Sequence, residues 1–478
     1  MDIQLVIAGR RDLAGQLYQQ LRAAIVDGRL AAGARLPSTR DLAGQLGVSR
    51  KTTLEVFERL IAEGFLAGRQ GDGTFVAEGL PAMPPRARTR GAVAPRAARI
   101  WQRVPEALSM PVFSERLRYD YLGGVTDKSL FHMDAWRKCV AHALRVQARG
   151  RGFYRDPAGE EELRLAIARY VGFSRGVTCH WRDVIVTQGA QQAIDMAARV
   201  MIEPGDTVAV EEPGYPPARG CLLAQGARVK PVRVDGEGLC VDELPDDARL
   251  VYVTPSHQFP LGMPMSLERR VALLEWASRR GALIVEDDYD GEFRFEGRPV
   301  ESLKSLDRSG VVAYVGTFSK TIFPELRTGY VVPPPSLAAA FLKARQLSDW
   351  HGSSLIQMAL GRYMLDGEFG RHVRRMQKHY AQRREALLQH LGGPLSRWME
   401  PIAPVAGIHM AAVLRKGVDE DVLIAKARAA SIALYGISGF HAGRRQRQGL
   451  LFGYGDTPVD DIHASMERLA ALLASRTC

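Results

Sequence analysis

Between residues 183 and 320, five apolar, β-prone runs each break off in a polar or glycine-rich stretch: DVIVTQGAQQA, DTVAVEEPGYPP, RLVYVTPSHQ, ALIVEDDYD and VVAYVGTFSK. Strands that alternate with helices imply an α/β domain on a largely parallel sheet, with ligands at the carboxyl ends of its strands. Each run carries its chemically interesting residues just past its apolar part. That shared placement, more than any one residue, argues for a site.

The parts are chemically specific. QGAQQA follows a strand and opens a helix, so the amides of Gly189, Ala190 and Gln191 can cradle a phosphate at the positive helix end. Asp287 and Tyr289 follow the strand ALIV. A carboxylate there can keep a pyridine nitrogen protonated and a phenol can bond a neighbouring ring oxygen, although acidic runs such as EDDYD are commonly plain surface loops. Lys320 reads as the end of a strand, between Thr317 and Ser319 on one side and Arg327, a second phosphate ligand, on the other. A lysine in a crowded pocket near other cations loses basicity and can form an imine with an aldehyde. Imine lysine, acidic partner and phosphate cradle together describe a pyridoxal 5'-phosphate site.

The amino-terminal part has a different texture. Leu17, Leu21 and Ile25 fall on one helical face that Gly28 closes. In LPSTRDLAGQLGVSRKTTLEVFERLIAEGFL, Ser38 with Asp41 starts a short helix and Gly47 makes a turn. Ser49 then caps a second helix with the apolar stripe Leu54, Phe57 and Ile61. This is helix-turn-helix spacing, and FLAGRQGDGTFVA adds a hairpin wing with a Gly-Asp-Gly tip. The first turn of the second helix, Ser49, Arg50, Lys51, Thr52 and Thr53, sets hydroxyls and cations where such a helix meets bases and phosphates.

A length of 478 residues with 46% hydrophobic and 24% charged residues suits a multidomain globular chain. No apolar run reaches the ~18 residues of a membrane span, and the first residues show no signal-peptide pattern. Cys139, Cys179, Cys221, Cys240 and Cys478 are scattered without metal spacing, as in reduced thiols, so a cytoplasmic location is expected. The net charge of +11 is unevenly spread. Residues 1–78 hold ten Lys/Arg against nine Asp/Glu, whereas PAMPPRARTRGAVAPRAARIWQR carries Arg86, Arg88, Arg90, Arg96, Arg99 and Arg103 with no acid. That segment reads as a linker, either a solvated tether or one that also touches phosphates.

The run from LYQQLRAAIVDG to EGFLAGRQGDGTFV resembles a GntR-type winged helix-turn-helix, and SKTIFPELRTGY, EDDYD and TPSHQFPLG resemble the marks of fold-type I aminotransferases. Joined, they resemble the MocR subfamily of transcription regulators over essentially the whole chain. The resemblance implies a winged helix at 1–78, a linker at 79–112 and a PLP-dependent transferase-like domain at 113–478. Lys320 would carry the cofactor, Asp287 face its ring nitrogen, Tyr289 bond its ring hydroxyl and Tyr215 stack on its face. Gly189, Ala190, Gln191, Thr317 and Arg327 would hold its phosphate, and Tyr154 would reach the phosphate in a second copy of the chain. Arg40, Ser49, Arg50, Lys51, Thr52, Thr53 and Arg69 would meet DNA.

The chain also departs from the transaminase pattern. Phe259 stands where an Asn usually precedes proline, leaving His257 or Gln258 to serve in its place. Leu451, in GLLFGYG, stands where the substrate-carboxylate arginine should fall, and nearby Arg444, Arg445 and Arg447 do not fit the motif. The expected protein is a regulator that binds operator DNA as a homodimer, head to tail, and senses PLP or its adduct with a small amine or amino acid. No membrane partner or bound metal is expected. Competing readings are a working aminotransferase with an appended DNA-binding domain, and a fold kept only as a dimerisation scaffold.

Overall fold

The computed structural model describes residues 5–7, 9, 11–79, 96–102, 104–105, 117–295, 301–443 and 447–474. Arg86, Arg88, Arg90 and Arg103 of the expected linker, with Arg444, Arg445 and Cys478, lie outside them. Contacts divide the chain into two compact units, Met1–Arg96 and Ala97–Cys478. Among the described residues, no helix is long and apolar enough to cross a membrane.

The first unit folds as α1 (Leu13–Val26), α2 (Thr39–Leu46), α3 (Arg50–Ala62) and the antiparallel pair β1 (Leu66–Arg69) and β2 (Gly73–Val76). The start and stop residues act as their chemistry dictates. The Ser38 hydroxyl accepts the Asp41 amide, Gly47 turns left-handed at φ 65, and the Ser49 hydroxyl accepts the Thr52 amide. Leu17, Leu21, Ile25, Val56, Phe57 and Leu60 form the core. The expected stripe on α3 is displaced by one residue. Leu54 and Ile61 are 45% and 41% exposed, and the buried face runs through Thr53, Val56, Phe57 and Leu60. Threonine reads as polar, which is why the true stripe was hidden.

The second unit is built on an eight-stranded sheet. In chain order its strands, after the short β3 (Tyr119–Asp120), are β4 (Ile185–Thr187), β5 (Thr207–Glu212), β6 (Arg228–Asp235), β7 (Gly238–Leu239), β8 (Ala248–Val253), β9 (Leu283–Asp288), β10 (Val312–Thr317) and β11 (Gly329–Val332). Their spatial order is β4-β11-β10-β9-β8-β5-β6-β7. The run from β10 through β9, β8 and β5 to β6 is parallel, and β11 is antiparallel to both neighbours. The five runs that looked like strands are five of these.

Both faces of the sheet are buried, as a parallel sheet requires. Val208, Val210, Leu250, Leu283, Val285, Ala313 and Val315 pack on one side. Ala209, Val251, Val253, Ile284 and Val312 pack on the other. Helices α4 (Met133–Ala148), α5 (Glu161–Arg175), α6 (Ala190–Met201), α7 (Pro216–Ala224) and α8 (Leu267–Arg280) connect and cover the strands. Helix α6 carries the chain from β4 at one edge to β5 across the sheet, so the order reverses there and leaves a crevice at the carboxyl ends. A smaller sheet follows, from β12 (Met399–Ile402), β13 (His409–Leu414), β15 (Tyr435–Gly436) and β16 (Gly449–Gly453), while β14 (Ile432–Ala433) pairs with β3.

Thr53 is fully buried, and its hydroxyl donates to the carbonyls of Thr39 at 2.8 Å and Arg50 at 3.0 Å. It fastens α2 to α3 and is therefore withdrawn from the DNA-contacting set. Thr53→Val is expected to lower the stability of the first unit by about 1 kcal/mol through loss of that bond. Thermal unfolding of the full chain, read in the transition that the substitution shifts, checks it.

Candidate functional site

The carboxyl ends of β5, β8, β9 and β10, the start of α6 and the strands of the smaller sheet enclose a cleft of about 320 Å³, within the ~300–1,000 Å³ of small-molecule sites. Lys320, Asp287, Tyr289, Tyr215, Ala190, Gln191, Thr317 and Arg327 all line it. Gly189 abuts it through Arg327: a Cβ on Gly189 would lie 3.2–3.4 Å from the guanidinium. Tyr154 does not line it. Tyr154 is 79% exposed, with its ring 5.3 Å from that of Trp350.

Strand β9 sorts the acidic run by its period of two. Asp287 faces the cleft, where its Oδ2 accepts the Tyr252 hydroxyl at 2.6 Å. Asp288 faces away and is held by Arg175 and by the Tyr314 hydroxyl at 2.6 Å. Glu286 accepts the amides of Leu303 and Lys304. Glu286, Asp287, Asp288 and Asp290 are all buried, so EDDYD is no surface loop. Asp287 Oδ1 is buried without a hydrogen-bond partner among the described residues. Burial, opposed by the Tyr252 bond, pushes the Asp287 carboxyl up to about 7.

Strand β10 stops at Thr317, and Lys320 sits three residues beyond it in a turn rather than on the strand end. The Thr317 hydroxyl starts that turn by accepting the Ser319 amide at 3.2 Å. The Lys320 ammonium donates to the Gly124 carbonyl at 3.0 Å. Gly124 has φ +81, and a Cβ there would sit 2.5 Å from Nζ, so a side chain at this position would displace the amine. Removal from water lowers the basicity of Lys320. Arg327 adds to this, while Asp290 and Asp287 oppose it. The expected cause, neighbouring cations, is the lesser one. Arg327 holds a left-handed φ of 49, a strained setting for a side chain, and its guanidinium donates to the Gln188 carbonyl at 3.0 Å.

The position expected to substitute for asparagine is filled otherwise. Neither His257 nor Gln258 lines the cleft; Phe259 does. The Gln258 amide is turned into the protein, donating to the Pro213 carbonyl at 2.8 Å. His257 Nδ1 lies 2.9 Å from Asp290, and the Tyr289 hydroxyl donates to the His257 carbonyl at 2.8 Å. Sequence reasoning missed Tyr252, Thr254, Gly124 and His409, all of which line the cleft. The adjacent glycines 123 and 124 were a signal for close backbone approach; an ordinary strand tyrosine carried none.

In the first unit, Ser49, Arg50 and Lys51 are exposed and Thr52 is half-buried at the start of α3, with Arg40 exposed on the first turn of α2. The Ser49 and Thr52 hydroxyls are 2.8 Å apart. Arg69, in the wing, pairs with Glu78 at 3.0 Å and lies over the Phe75 ring at 4.6 Å.

A winged helix and an aminotransferase-like sheet with a lysine-and-aspartate cleft thus share one chain, and known proteins have the same arrangement. Residues 13–76 match the bacterial regulatory proteins of the gntR family, and residues 122–447 match aminotransferase class I and II. The chain is 37% identical over 445 residues to the probable rhizopine catabolism regulatory protein MocR of Rhizobium meliloti, covering 92% of this chain and 89% of that one. It is 36% identical over 448 residues to the HTH-type transcriptional regulator TauR of Rhodobacter capsulatus, covering 89% and 90%. The kynurenine aminotransferase of Pyrococcus horikoshii, solved in complex with PMP, KYN and KYA, matches 80% of this chain and 96% of its own with a TM-score of 0.70 at 26% identity. The protein belongs to the MocR subfamily of GntR-type regulators.

The elevated Asp287 value has a stability consequence. The unfolded chain gives up this proton near 3.8, whereas the native, ligand-free chain holds it until about 7. The native state binds more protons between those values, so this group's contribution to stability falls as pH rises through them, by up to about 4 kcal/mol. Ligand-free Asp287→Asn is expected to melt higher than the parent chain at pH 8 and to lose that advantage near pH 4. Melting curves across this range check it.

Proposed function

We propose that this chain is a DNA-binding transcription regulator whose second unit binds pyridoxal 5'-phosphate and senses it, alone or with a small amine or amino acid. The observation that carries the reading is the buried, unpartnered Asp287 Oδ1 facing the same cleft as Lys320. A buried carboxylate oxygen without a partner is costly unless a cation or donor arrives, and a protonated pyridine nitrogen is such a donor. The other residues fit the same group. Arg327 beside Gly189, with the free amides at the start of α6 and the Thr317 hydroxyl, is a cradle for a phosphate. Gly189, Ala190 and Gln191 supply the amides.

When bound, pyridoxal phosphate supplies an aldehyde carbon for which primary amines compete, and a ring that absorbs visible light. The protein's part is placement. Lys320, held by the Gly124 carbonyl and made less basic by burial, keeps a larger fraction of its amine neutral and ready to bond. Tyr215 borders the cleft at the start of α7 and would offer a ring face, and Tyr289, which also lines it, would bond a ring oxygen through its hydroxyl. Exposed Tyr154, Phe153 and Leu347 support a homodimer in which Tyr154 of one copy reaches the site of the other. The exposed first turn of α3 supports a role in reading operator DNA.

An aminotransferase could use the same lysine, aspartate and phosphate cradle. The aliphatic Leu451 and aromatic Phe259 in the cleft favour the regulator. Lys320→Ala is expected to leave a folded dimer that binds the cofactor without the visible band of the lysine-bound form. Cofactor still fixed to the variant by borohydride would remove Lys320 from this role. Sustained keto-acid formation by the parent chain would favour the enzyme.

Arg50→Ala is expected to weaken operator binding by about 1–3 kcal/mol and relax sequence preference, with cofactor spectra unchanged. Operator affinity equal to that of the parent chain at matched salt would overturn the assignment.

A further inference from the structure

We infer that the effector admitted beside Lys320 is a primary amine with an apolar or aromatic body and no carboxylate. The inference rests on the cofactor reading above and concerns the part of the cleft that the cofactor would leave open.

That part is walled by Leu122, Phe259, Ile408, His409, Phe440 and Leu451. Phe259 is its hub. Its ring lies edge-on to Phe440 at 5.0 Å, to Tyr215 at 5.4 Å and to Tyr289 at 6.1 Å, and 5.6 Å from His409. Such edge-to-face walls favour aromatic or aliphatic guests.

Leu451 is tied to the reacting position through the backbone. It is 3% exposed and packs with Ala411 and Ile437 against Tyr435 and Phe440. A Cβ on Gly123 would lie 2.8 Å from its methyl carbon, and the next residue, Gly124, supplies the carbonyl that accepts the Lys320 amine. A substituent on a nitrogen brought to that place therefore meets a leucine.

Among the described residues, the cations of the cleft stand at its lysine and Gly189 ends rather than along the apolar wall. Among the described residues that line the cleft, the full positive charges are Lys320 and Arg327, and Arg327 is committed to the Gly189 side. His409 is kept neutral: burial, with His257 4.4 Å away, brings it down to about 3. Arg447 is exposed and does not line the cleft. Among the described residues, a carboxylate set against Leu122, Phe259, Ile408, Phe440 and Leu451 would give up its water to an apolar wall, which disfavours it.

The test uses the full chain loaded with pyridoxal 5'-phosphate and a matched pair of amines, 2-phenylethylamine and L-phenylalanine, compared at equal free-amine concentration. The visible band is followed, and heat of binding is measured in parallel. 2-Phenylethylamine is expected to half-saturate at a concentration at least about tenfold lower than L-phenylalanine. L-Phenylalanine acting at equal or lower concentration, or neither amine acting, overturns the inference. A loaded parent chain with no more visible band than Lys320→Ala would instead fail the cofactor reading itself. Leu451→Arg, if folded by circular dichroism, is expected to shift the preference toward L-phenylalanine. An unchanged preference would remove Leu451 as the discriminating residue, and if the variant does not fold, the parent-chain pair decides alone.

Discussion

The Asp287 carboxylate, buried with one oxygen bonded and the other bare, is the constraint on which the second unit's site depends. It stays there because the strands around it are in fixed register. Val285 pairs with Tyr252 and Asp287 with Val315, so Tyr252 rises on the same face two residues away and can donate to Asp287. On the opposite face Tyr314 pairs with Glu286, which puts its hydroxyl beside Asp288 and Arg175. A one-residue slip of β9 would exchange these faces. It would turn Asp288 into the cleft and Asp287 into a site built for a paired carboxylate.

This alternation also explains how much of the site could be read from sequence. The strand runs were legible because both faces of a parallel sheet are apolar, and the polar residue after each run marked the carboxyl end. Asp287 could be named because it stands at such an end, Lys320 because it follows one by three residues, and Arg327 because it continues the same run. Tyr252 could not, because an aromatic residue inside a strand usually packs as core, and only the pairing of β8 with β9 reveals its hydroxyl's partner. His409 was hidden for a similar reason. It belongs to the smaller sheet, more than a hundred residues past Asp290, and reaches the cleft only through the fold.

In the first unit the caps were easier to read than the packing. Ser38, Gly47 and Ser49 act locally, within one helical turn, and local rules suffice for them. The buried face of α3 is set by what α1 and α2 leave open, so a threonine with two carbonyl partners took a place that periodicity had given to leucine. That exchange leaves Arg50 and Lys51 exposed at the start of the helix and moves Thr53 from the surface to the joint between helices. The hydroxyl's contribution is to hold α3 at its angle to α2, which sets where the arginine points.

The cleft sets a lysine, an aspartate and an arginine beside an apolar wall. The lysine, aspartate and guanidinium all stand in one pocket, and Leu451 and Phe259 line it too, where the resemblance to transaminases leads one to expect an arginine and an asparagine. Catalysis of amino-group transfer depends on holding the substrate in one orientation through the reaction. An apolar wall can select a guest by fit without fixing it that firmly. On the proposed function, a pocket of this kind reports occupancy. The winged helix on the same chain is what would give that occupancy a consequence, provided the guest binds one arrangement of the two units better than another.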